Sequence, residues 1–539
     1  MFATPVPLKP QFPTNVHRFS WFCDFLCASG RNVDPFCPEI RHVKRKNILF
    51  IVMDQFRADL LFGDLAQAAE LPHINALMQD ATSFRNHWSV VNPCGPSRAS
   101  LLTGQYAMNH RSVRNGTPLD QMIPTVPVEM RKAGYNPMLF GYTDTPGDPR
   151  MLPADDLALR CYEAPMVGFD EKVEMRFEES LPWRKFLATH GYDVPTFNKF
   201  FVPQGPDLDG PTFYAKEHSD TAFLTDECLK TIGTMKDEPW FAHLTYIRPH
   251  PPFVAPAPYN RLCKGNDIPD PCPLDPEIAQ HPLMIEANAR APITRFIQGW
   301  PDLADTPENV RTIRQVYLGM AAEVDTHVGR MIDFLKESGQ YDDTLIVLCS
   351  DHGEMLGDHG GWGKSTVFDA AFRVPLIIRV PGGEFAGQVI DAPTETIDVF
   401  PTLLEFAGLE TPTSVDGRSL YPLMRGQEPE DWRDYTWSEL DFGEIPALPP
   451  GLPSSTLALE QCNLSILREK HLTLVHFNGG IPPMLFDHRD RGEAKNLAND
   501  PAYAGEMLRL TRRMLDHRMT HADSTLSSYA ITANGPVRA

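Results

Sequence analysis

Two apolar runs, far apart in the chain, constrain the fold more than any other feature of the sequence. NILFIVM stops at Asp54, and TLIVLCS stops at Asp351 and His352. Apolar residues at consecutive positions predict strands covered on both faces, as in the parallel sheet of an α/β layer fold. Ligand sites in such folds lie at the carboxyl ends of the strands. If the two strands are neighbours, four polar residues meet at one edge of the sheet: Asp54, Gln55, Asp351 and His352.

This group of side chains predicts a metal site. Carboxylates brought together repel each other unless a cation lies between them. Oxygen ligands with one imidazole suit a single divalent cation, either Mn²⁺ or Ca²⁺, with Zn²⁺ as a weaker candidate. The alternative is that each aspartate caps the helix or turn that follows it, as is common at strand ends. The repetition of the pattern at two strands favours the metal.

The segment NPCGPSRASLLTG, from Asn92 to Gly104, is the third informative feature. Pro96 near its start, small and apolar residues inside and the glycine at its end predict a helix that begins near Cys94. A helix N-terminus favours anions and developing negative charge, and Arg98, one turn on, can reach the same point. A lone thiol is usually an inert buried side chain. The nearby arginine and the proline-defined turn favour a functional residue instead.

Composition limits the classes of protein that the chain can represent. Its 539 residues can bury a large core, and the apolar fraction of 42% is typical of a globular protein. The net charge of -21 argues against a nucleic-acid partner. Ten scattered cysteines do not form a disulfide framework, and no apolar run is long enough for a membrane span. The start of the chain is not a convincing signal peptide. We therefore expect a soluble, cytoplasmic protein without membrane partners.

The motifs together resemble those of the type I sulfatases, which belong to the alkaline phosphatase superfamily. CGPSR fits the family's C-x-P-S-R sequence and ASLLTGQY continues it. The resemblance extends through SDHGEMLGDHGGWGKS, RVPLIIRVPGG, DVFPTLLEFAGL and DGRSLYPLM, and covers roughly residues 47–501. It implies an α/β, alkaline-phosphatase-like fold. In that fold a large, mainly parallel sheet is sandwiched by helices, and a small C-terminal antiparallel sheet carries a helix.

Three departures from the common sulfatase pattern indicate a branch of the family. Gln55 stands where common sulfatases place a second aspartate, Tyr142 replaces a lysine, and His352 replaces an asparagine or other oxygen ligand. In these positions, and in NHRSVRNGTPLD, the chain is similar to the phosphonate monoester hydrolases and their closely related arylsulfatases. The imidazole favours Mn²⁺ without excluding Ca²⁺.

The resemblance also implies a modified nucleophile. In the family, a formylglycine-generating maturation enzyme oxidises the motif cysteine, here Cys94, to an aldehyde. The hydrate of that aldehyde attacks a small anionic ester and forms a covalent hemiacetal ester. We expect hydrolysis of sulfate monoesters, of the arylsulfatase type, with phosphonate monoesters or phosphodiesters as the alternative substrates. Each of these esters carries one negative charge, so we expect promiscuity.

Matching positions assigns roles to the remaining site residues. Arg98 orients the hydrated aldehyde and offsets its charge, whereas His250 and Lys364 bind substrate oxygens or protonate the leaving group. The resemblance implies that three residues contact the substrate, with Asp144 as an additional possibility: Asn115, Tyr142 and Thr143. The metal ligands are those at the two strand ends: Asp54, Gln55, Asp351 and His352.

The chain divides into four predicted parts. They are an irregular N-terminal extension (1–45), a catalytic α/β domain (46–430), a small C-terminal α+β subdomain (431–520) and a tail (521–539). A long amphipathic helix is predicted before Gly339, and a proline-rich region, 247–306, is predicted to form loops over the mouth of the site. We expect the tail to reach a neighbouring subunit in a homodimer or homotetramer.

Two other classes of function remain open from the sequence. One is a cysteine-thiolate phosphatase, although only three residues separate Cys94 from Arg98 and the usual phosphate loop has five. Such an enzyme also needs no metal. The other is a noncatalytic, metal-stabilised binding module on a hydrolase fold. The presence of Cys94, Arg98, His250 and Lys364 together argues against the binding module.

Overall fold

The two main sheets of the structure are a large one and a small one, and helices pack against them. The computed structural model describes residues 45–176, 180–236, 238–443, 452–489, 493–523, 525–527 and 529–538. The predicted N-terminal extension thus lies outside the described residues, apart from its last position. The strands are β1 Asn47–Met53, β2 Thr82–Phe84, β3 His87–Trp88, β4 Val91–Asn92, β5 Pro137–Gly141, β6 Asp170–Glu174, β7 Phe241–Tyr246, β8 Thr344–Ser350, β9 Leu376–Arg379, β10 Val389–Ile390, β11 Thr394–Glu395, β12 Tyr435–Asp441, β13 Asn463–Glu469, β14 Leu472–Phe477, β15 Met484–Asp487, β16 Tyr529–Thr532 and β17 Gly535–Arg538. The α-helices are α1 Asp59–Phe62, α2 Pro72–Gln79, α3 Cys94–Thr103, α4 Ala107–His110, α5 Val126–Lys132, α6 Leu181–Thr189, α7 Phe197–Phe200, α8 Asp220–Ile232, α9 Tyr259–Leu262, α10 Pro276–Ala279, α11 Pro282–Arg290, α12 Pro307–Glu337, α13 Asp369–Phe372, α14 Val399–Ala407, α15 Tyr421–Met424 and α16 Ala504–Thr520.

The two apolar runs form adjacent strands at the centre of the large sheet. Among the described residues this sheet has eight strands in the order β10-β2-β9-β8-β1-β7-β5-β6. β1 pairs in parallel with β8, from Asn47 opposite Thr344 to Met53 opposite Ser350. Only β9 runs antiparallel to its neighbours β8 and β2. The predicted mainly parallel sheet is therefore confirmed, and the polar residues that follow β1 and β8 leave the sheet at the same edge.

Helices cover both faces of this sheet, which explains the continuous apolar character of β1. Alternate side chains of β1, such as Ile51, pack with the long helix α12 in one core. The intervening side chains, such as Phe50, pack with α3, α5 and α14 in a second core. Both residues are fully buried. A strand with both faces covered has no solvent-facing position, so its sequence shows no alternation.

The small sheet joins the C-terminal part of the chain to the segment that carries Cys94. Strands β12 to β15 form an antiparallel meander, and β4 pairs in parallel with the free edge of β12. Helix α16 contributes Leu510 and Met514 to the core under β12 and β14. The predicted antiparallel sheet with a helix is confirmed. The participation of β4 was not predicted, because a two-residue strand has no periodicity to detect.

Two segments differ from the sequence-based description. The proline-rich region contains the short helices α9, α10 and α11, so the prediction of loops alone was wrong there. Pro276 and Pro282 occupy the first turns of α10 and α11, where a missing N–H costs nothing, and Asp275 and His281 cap these helices. The tail forms the exposed hairpin β16–β17. Its place at a subunit interface stays a prediction, as do the four domain boundaries.

The sequence also indicated that no segment spans a membrane. In the parts of the chain that the structure describes, no helix combines the length and apolar character needed to cross a bilayer.

The end of helix α3 gives a test of how tightly this segment is held. Gly104 follows α3 with φ of 68°, and a Cβ there would lie 2.8 Å from Val415 Cγ1 and 3.0 Å from Phe400 Cδ1. Gly408, after α14, has φ of 72°, and no described atom lies within 4 Å of its added Cβ. Gly104→Ala should lower the free energy of unfolding by about 2–4 kcal/mol, through backbone strain and overpacking. Gly408→Ala should cost about 1–2 kcal/mol through strain alone.

Denaturant unfolding of the two variants beside the parent protein measures this difference. Equal losses of stability would show that helix α3 can shift to accept the methyl group, contrary to the close packing described above.

Candidate active site

Cys94 lies at the N-terminus of a buried helix. It is the first residue of α3 and is 4% exposed, and extended backbone at Pro93 leads into the helix. The N–H of Gly95 in the first turn donates to Asn115 Oδ1 at 2.9 Å, which fixes the turn. The predicted helix between Cys94 and Gly104 is confirmed. Its first turn faces the edge of the sheet where β1 and β8 end.

Arg98 lies between the two carboxylates that follow β1 and β8. Its Nε donates to Asp351 Oδ2 and its Nη2 to Asp54 Oδ2, both at 3.0 Å. A third donor, Nη1, reaches the carbonyl oxygen of Tyr142 at 3.2 Å, and the guanidinium carbon lies 4.3 Å from the centre of that ring. The hydroxyl of Tyr142 donates to Asp54. The arginine is 1% exposed, so it is a fixed cation inside the site.

The donor atoms of Asp54, Cys94, Asp351 and His352 all lie within 4.8 Å of one another. Asp54 Oδ1 is buried and has no hydrogen-bond partner among the described residues. His352 Nδ1 lies 3.0 Å from the carbonyl oxygen of Gly353, which can only accept, so Nδ1 carries the proton. The lone pair of Nε2 then faces the cluster, 3.7 Å from Asp54 Oδ1. An orphaned carboxylate oxygen beside an imidazole lone pair fits a divalent cation.

Gln55 connects this cluster to Lys364. Its backbone has a positive φ of 68°, and its N–H donates to Asp351 Oδ1 at 3.1 Å. The side-chain oxygen accepts a hydrogen bond from Lys364 Nζ at 2.8 Å, and the side-chain amide nitrogen donates to Glu354. Tyr317 of helix α12 holds the turn by donating to the Gln55 carbonyl oxygen at 2.8 Å. The role of Gln55 as a metal ligand stays a prediction.

Glu354 is a site residue that the sequence analysis missed. It is fully buried and accepts hydrogen bonds from the N–H groups of Leu356 at 3.0 Å and Gly363 at 2.7 Å. It therefore orients both Gln55 and the loop that carries Lys364. Its position in SDHGE was visible, but its burial depends on how the later glycine-rich loop folds back.

Two cavities adjoin each other at the candidate site, and Cys94 lines the smaller one. The smaller, of about 60 Å³, and the larger, of about 610 Å³, share three lining residues: Asn115, His250 and Lys364. The small cavity is also lined by Asp54, Cys94, Tyr142, Asp144, Tyr162 and Glu163. Apolar side chains line much of the large cavity, among them Leu283, Phe296, Trp362 and Leu440. The small cavity has room for little more than one tetrahedral group, so an ester's leaving group would extend into the large one.

His250 and Lys364 stand at the junction of the cavities with different protonation states. His250 Nδ1 donates to the carbonyl oxygen of Pro251 at 2.7 Å, and burial, aided by Lys364, lowers the pKa of the imidazole to about 4. The pKa of Lys364 is raised, because Cys94, Asp54 and Asp351 together outweigh the lowering effect of its burial. At neutral pH the junction therefore holds a neutral imidazole and a charged ammonium group.

Of the residues predicted to contact the substrate, some line the small cavity and one does not. Asn115 and Tyr142 line the small cavity. Thr143 lines neither cavity, judged from the residues described: its hydroxyl donates to the carbonyl oxygen of Ala164 at 3.1 Å and accepts from Met166 N at 2.6 Å. The next residue, Asp144, lines the small cavity instead. Asp358 pairs with Arg57 and Arg314, and His359 stacks on Phe368 at 3.9 Å, in structural roles outside the cluster.

Comparisons with known proteins agree with this geometry. The family model described as "Sulfatase" matches residues 46–409, and the model "N-sulphoglucosamine sulphohydrolase, C-terminal" matches residues 357–520. The multifunctional alkaline phosphatase superfamily protein PehA of Trinickia caryophylli is 39% identical, over 91% of this chain and 98% of its own length.

Two solved structures are also similar over nearly their whole length. A phosphonate monoester hydrolase from Silicibacter pomeroyi has 53% identity and a TM-score of 0.89, and the match covers 92% of this chain and 99% of that one. A phosphonate monoester hydrolase of Agrobacterium radiobacter has 38% identity and a TM-score of 0.86, covering 92% and 100%. The chain belongs to the sulfatase family, within the alkaline phosphatase superfamily, and is a hydrolase of sulfate or phosphonate esters.

The cluster at the ends of β1 and β8 predicts the effect of removing one charge. Loss of a residue that hydrogen-bonds to a metal ligand lowers metal affinity by roughly 10–100-fold. Asp351→Asn should lower the affinity for Mn²⁺ by at least that factor, because the charge of a ligand itself is lost. Elemental mass spectrometry of the dialysed protein measures its metal content and tests this prediction. Asp209→Asn is the control, since Asp209 pairs with Arg261 and Lys264 outside the site. Full metal content in Asp351→Asn would rule out this ligand assignment.

Proposed function

We propose that the protein is a metal- and formylglycine-dependent hydrolase that accepts phosphonate monoesters, phosphodiesters and sulfate monoesters in one site. From the sequence we expect sulfate monoesters, with phosphonate monoesters or phosphodiesters as the alternative. The similarity to two phosphonate monoester hydrolases, over nine-tenths of the chain, favours phosphonate monoesters instead. The observation that carries the proposal is that a small charged cavity, which Cys94 lines, adjoins a large cavity lined in large part by apolar side chains.

Two groups complete the proposed site. Asp54, Asp351 and His352, with Gln55 as a further candidate ligand, would hold a divalent cation, which would supply Lewis-acid stabilisation of negative charge at position 94. Formylglycine derived from Cys94 supplies a hydrated aldehyde as the nucleophile. The fit of the modified residue is supported by its environment, because the N-terminus of α3 and Arg98 both favour negative charge at that point.

The remaining residues bind and orient. Arg98, held between two carboxylates, keeps a fixed positive charge beside the nucleophile. Lys364 at the cavity junction offsets charge on the oxygens of the ester and on the departing oxygen. His250, whose Nδ1 proton is bound to Pro251, presents Nε2 as a proton acceptor rather than as a donor. This arrangement favours Lys364 as the group that assists the leaving oxygen.

A thiolate phosphatase fits this site poorly. The Cys94 sulfur lies 3.1 Å from His352 Nε2, inside the predicted metal cluster. Burial and the neighbouring Asp54 raise the pKa of the thiol well above its usual value. Reactive thiolates instead occur where neighbouring cations lower the thiol pKa. The environment therefore suits an oxygen nucleophile at a cation better than a free thiolate.

The state of position 94 is the first test of this function. Protein produced together with a formylglycine-generating enzyme should give a proteolytic peptide whose mass shows an aldehyde in place of the Cys94 thiol. Cys94→Ala should keep the fold and lose turnover by about 10⁴-fold or more, as expected for removal of a nucleophile. Full activity of protein whose peptide retains the thiol would contradict the proposal.

The role of Lys364 gives a separate test. Lys364→Ala should lower kcat/KM by about 100-fold or more, as for loss of a preorganised charge at a reacting oxygen. The loss should be largest for esters with poor leaving groups, because these develop most charge on the departing oxygen. Lys264→Ala is the matched control, since Lys264 pairs with Asp209 at the surface. An equal loss for all leaving groups would place Lys364 in substrate binding alone.

A further inference from the structure

Asp144 is a carboxyl group in the small cavity that the proposed chemistry does not use. It is 5% exposed and lines this cavity together with Cys94. One of its oxygens, Oδ1, is buried without a hydrogen-bond partner in the described structure. The other, Oδ2, lies 3.9 Å from Arg98 Nε. A buried carboxylate oxygen without a partner is costly, and its persistence beside a reaction centre calls for a function.

The loop around Asp144 is built to hold this carboxyl in place. Asp144 has a positive φ of 50°, a conformation that few residues other than glycine adopt. Thr143 and Thr145 on either side both bond to the carbonyl oxygen of Ala164, at 3.1 Å through Oγ1 and N respectively. Gly95 packs against the same loop, since a Cβ there would lie 3.0 Å from the Asp144 carbonyl oxygen. The loop thus turns Thr143 away from the cavity and Asp144 toward it.

A second acidic residue, Glu163, lies near Asp144. Glu163 is 6% exposed and lines the same cavity, and it is among the charges that act on Asp144. The other charged groups acting on Asp144 are Arg98, Asp54 and Asp351. The small cavity therefore contains two carboxyl groups beyond those at the ends of β1 and β8.

We propose that Asp144, supported by Glu163, restricts the site to esters whose transferred group carries a single negative charge. The inference rests on the proposed function and names its substrate class. Arg98 and Lys364 balance the charges of Asp54 and Asp351, so a divalent cation alone would leave two positive charges, which suit a dianion. The carboxylates of Asp144 and Glu163 cancel that excess. Monoesters of phosphate, which are dianions in alkaline solution, should then bind poorly when Asp144 is ionised.

The protonation of Asp144 sets the conditions of the test. Burial raises the pKa of this carboxyl to about 8, while Arg98 acts in the opposite direction. A divalent cation at Asp54 and Asp351 would act in the same direction as Arg98. At about pH 9 the carboxyl is ionised in either case. At that pH, a comparison of the parent protein with Asp144→Asn therefore measures the effect of removing one negative charge.

Binding of two probes to the metal-loaded, formylglycine-bearing protein decides the question. Phenylphosphonate is a dianion at this pH. Methyl(phenyl)phosphinate, in which a methyl group replaces one oxygen, is a monoanion of almost the same shape and has no ester bond that the protein could hydrolyse. Isothermal titration calorimetry gives the ratio of their Kd values for the parent protein and for Asp144→Asn. We expect the variant to shift the ratio toward the dianion by about tenfold or more, because one nearby charge is removed. An unchanged ratio in a folded, metal-loaded Asp144→Asn would overturn the proposal.

Two further variants make the result specific. Asp148→Asn should leave the ratio unchanged, because the Asp148 carboxylate bonds to Arg150 Nη2 at 2.6 Å and, in the described structure, lines neither cavity. Glu163→Gln should shift the ratio in the same direction as Asp144→Asn, and it decides the question if the latter does not fold. No shift in Glu163→Gln would in that case overturn the proposal.

Turnover of 4-nitrophenyl phenylphosphonate and 4-nitrophenyl sulfate separates this inference from the proposed function. Parent protein that hydrolyses neither ester refutes the proposed function, while the ratio of Kd values still decides the restriction on charge. Hydrolysis of both esters with a ratio that does not respond to Asp144→Asn refutes the restriction alone.

Discussion

The buried contact of Arg98 with Asp54 and Asp351 is the interaction on which the site depends. Two carboxylates at the ends of adjacent parallel strands repel each other at this distance, and removing them from water adds a penalty of several kcal/mol per ion. The guanidinium group offsets both effects with hydrogen bonds of 3.0 Å to each. The register of β1 on β8 fixes the carboxylates, and helix α3 fixes the arginine. Because one helix carries both Arg98 and Cys94, the position of Cys94 is fixed by the same contact that neutralises the acids.

The C-terminal sheet takes part in this arrangement directly. Strand β4 ends immediately before the turn that leads into Cys94, and it is paired with β12 through Val91 opposite Glu439 and Asn92 opposite Leu440. Leu440 and Asp441, at the end of β12, also line the large cavity. The C-terminal part of the chain therefore supports the start of α3 and forms part of the wall of the large cavity. Without β12, the segment before Cys94 would lose its pairing partner in the small sheet.

The parts of the site that the sequence predicted are those with a local signal. The runs before Asp54 and Asp351 are apolar throughout because β1 and β8 are covered on both faces, and Pro96 and Gly104 mark the two ends of α3. No such signal indicated that Asp144, rather than Thr143, lines the small cavity. The positive φ of Asp144 decides which of these two adjacent polar side chains faces the cavity. Glu354, β4 and the helices of the proline-rich region depend equally on contacts distant in sequence.

The two cavities impose different kinds of selection on a substrate. The small one encloses the transferred group among fixed charges, so the charge and size of that group are restricted. In the large one, four charged side chains of the wall form two pairs: Arg114 with Asp441 at 2.9 Å, and Arg290 with Glu286. Arg295 and Lys364 add positive charge to this wall. The apolar side chains between these groups bind by contact area, which is nondirectional. A site of this form selects its esters by the group being transferred and tolerates variation in the group that leaves.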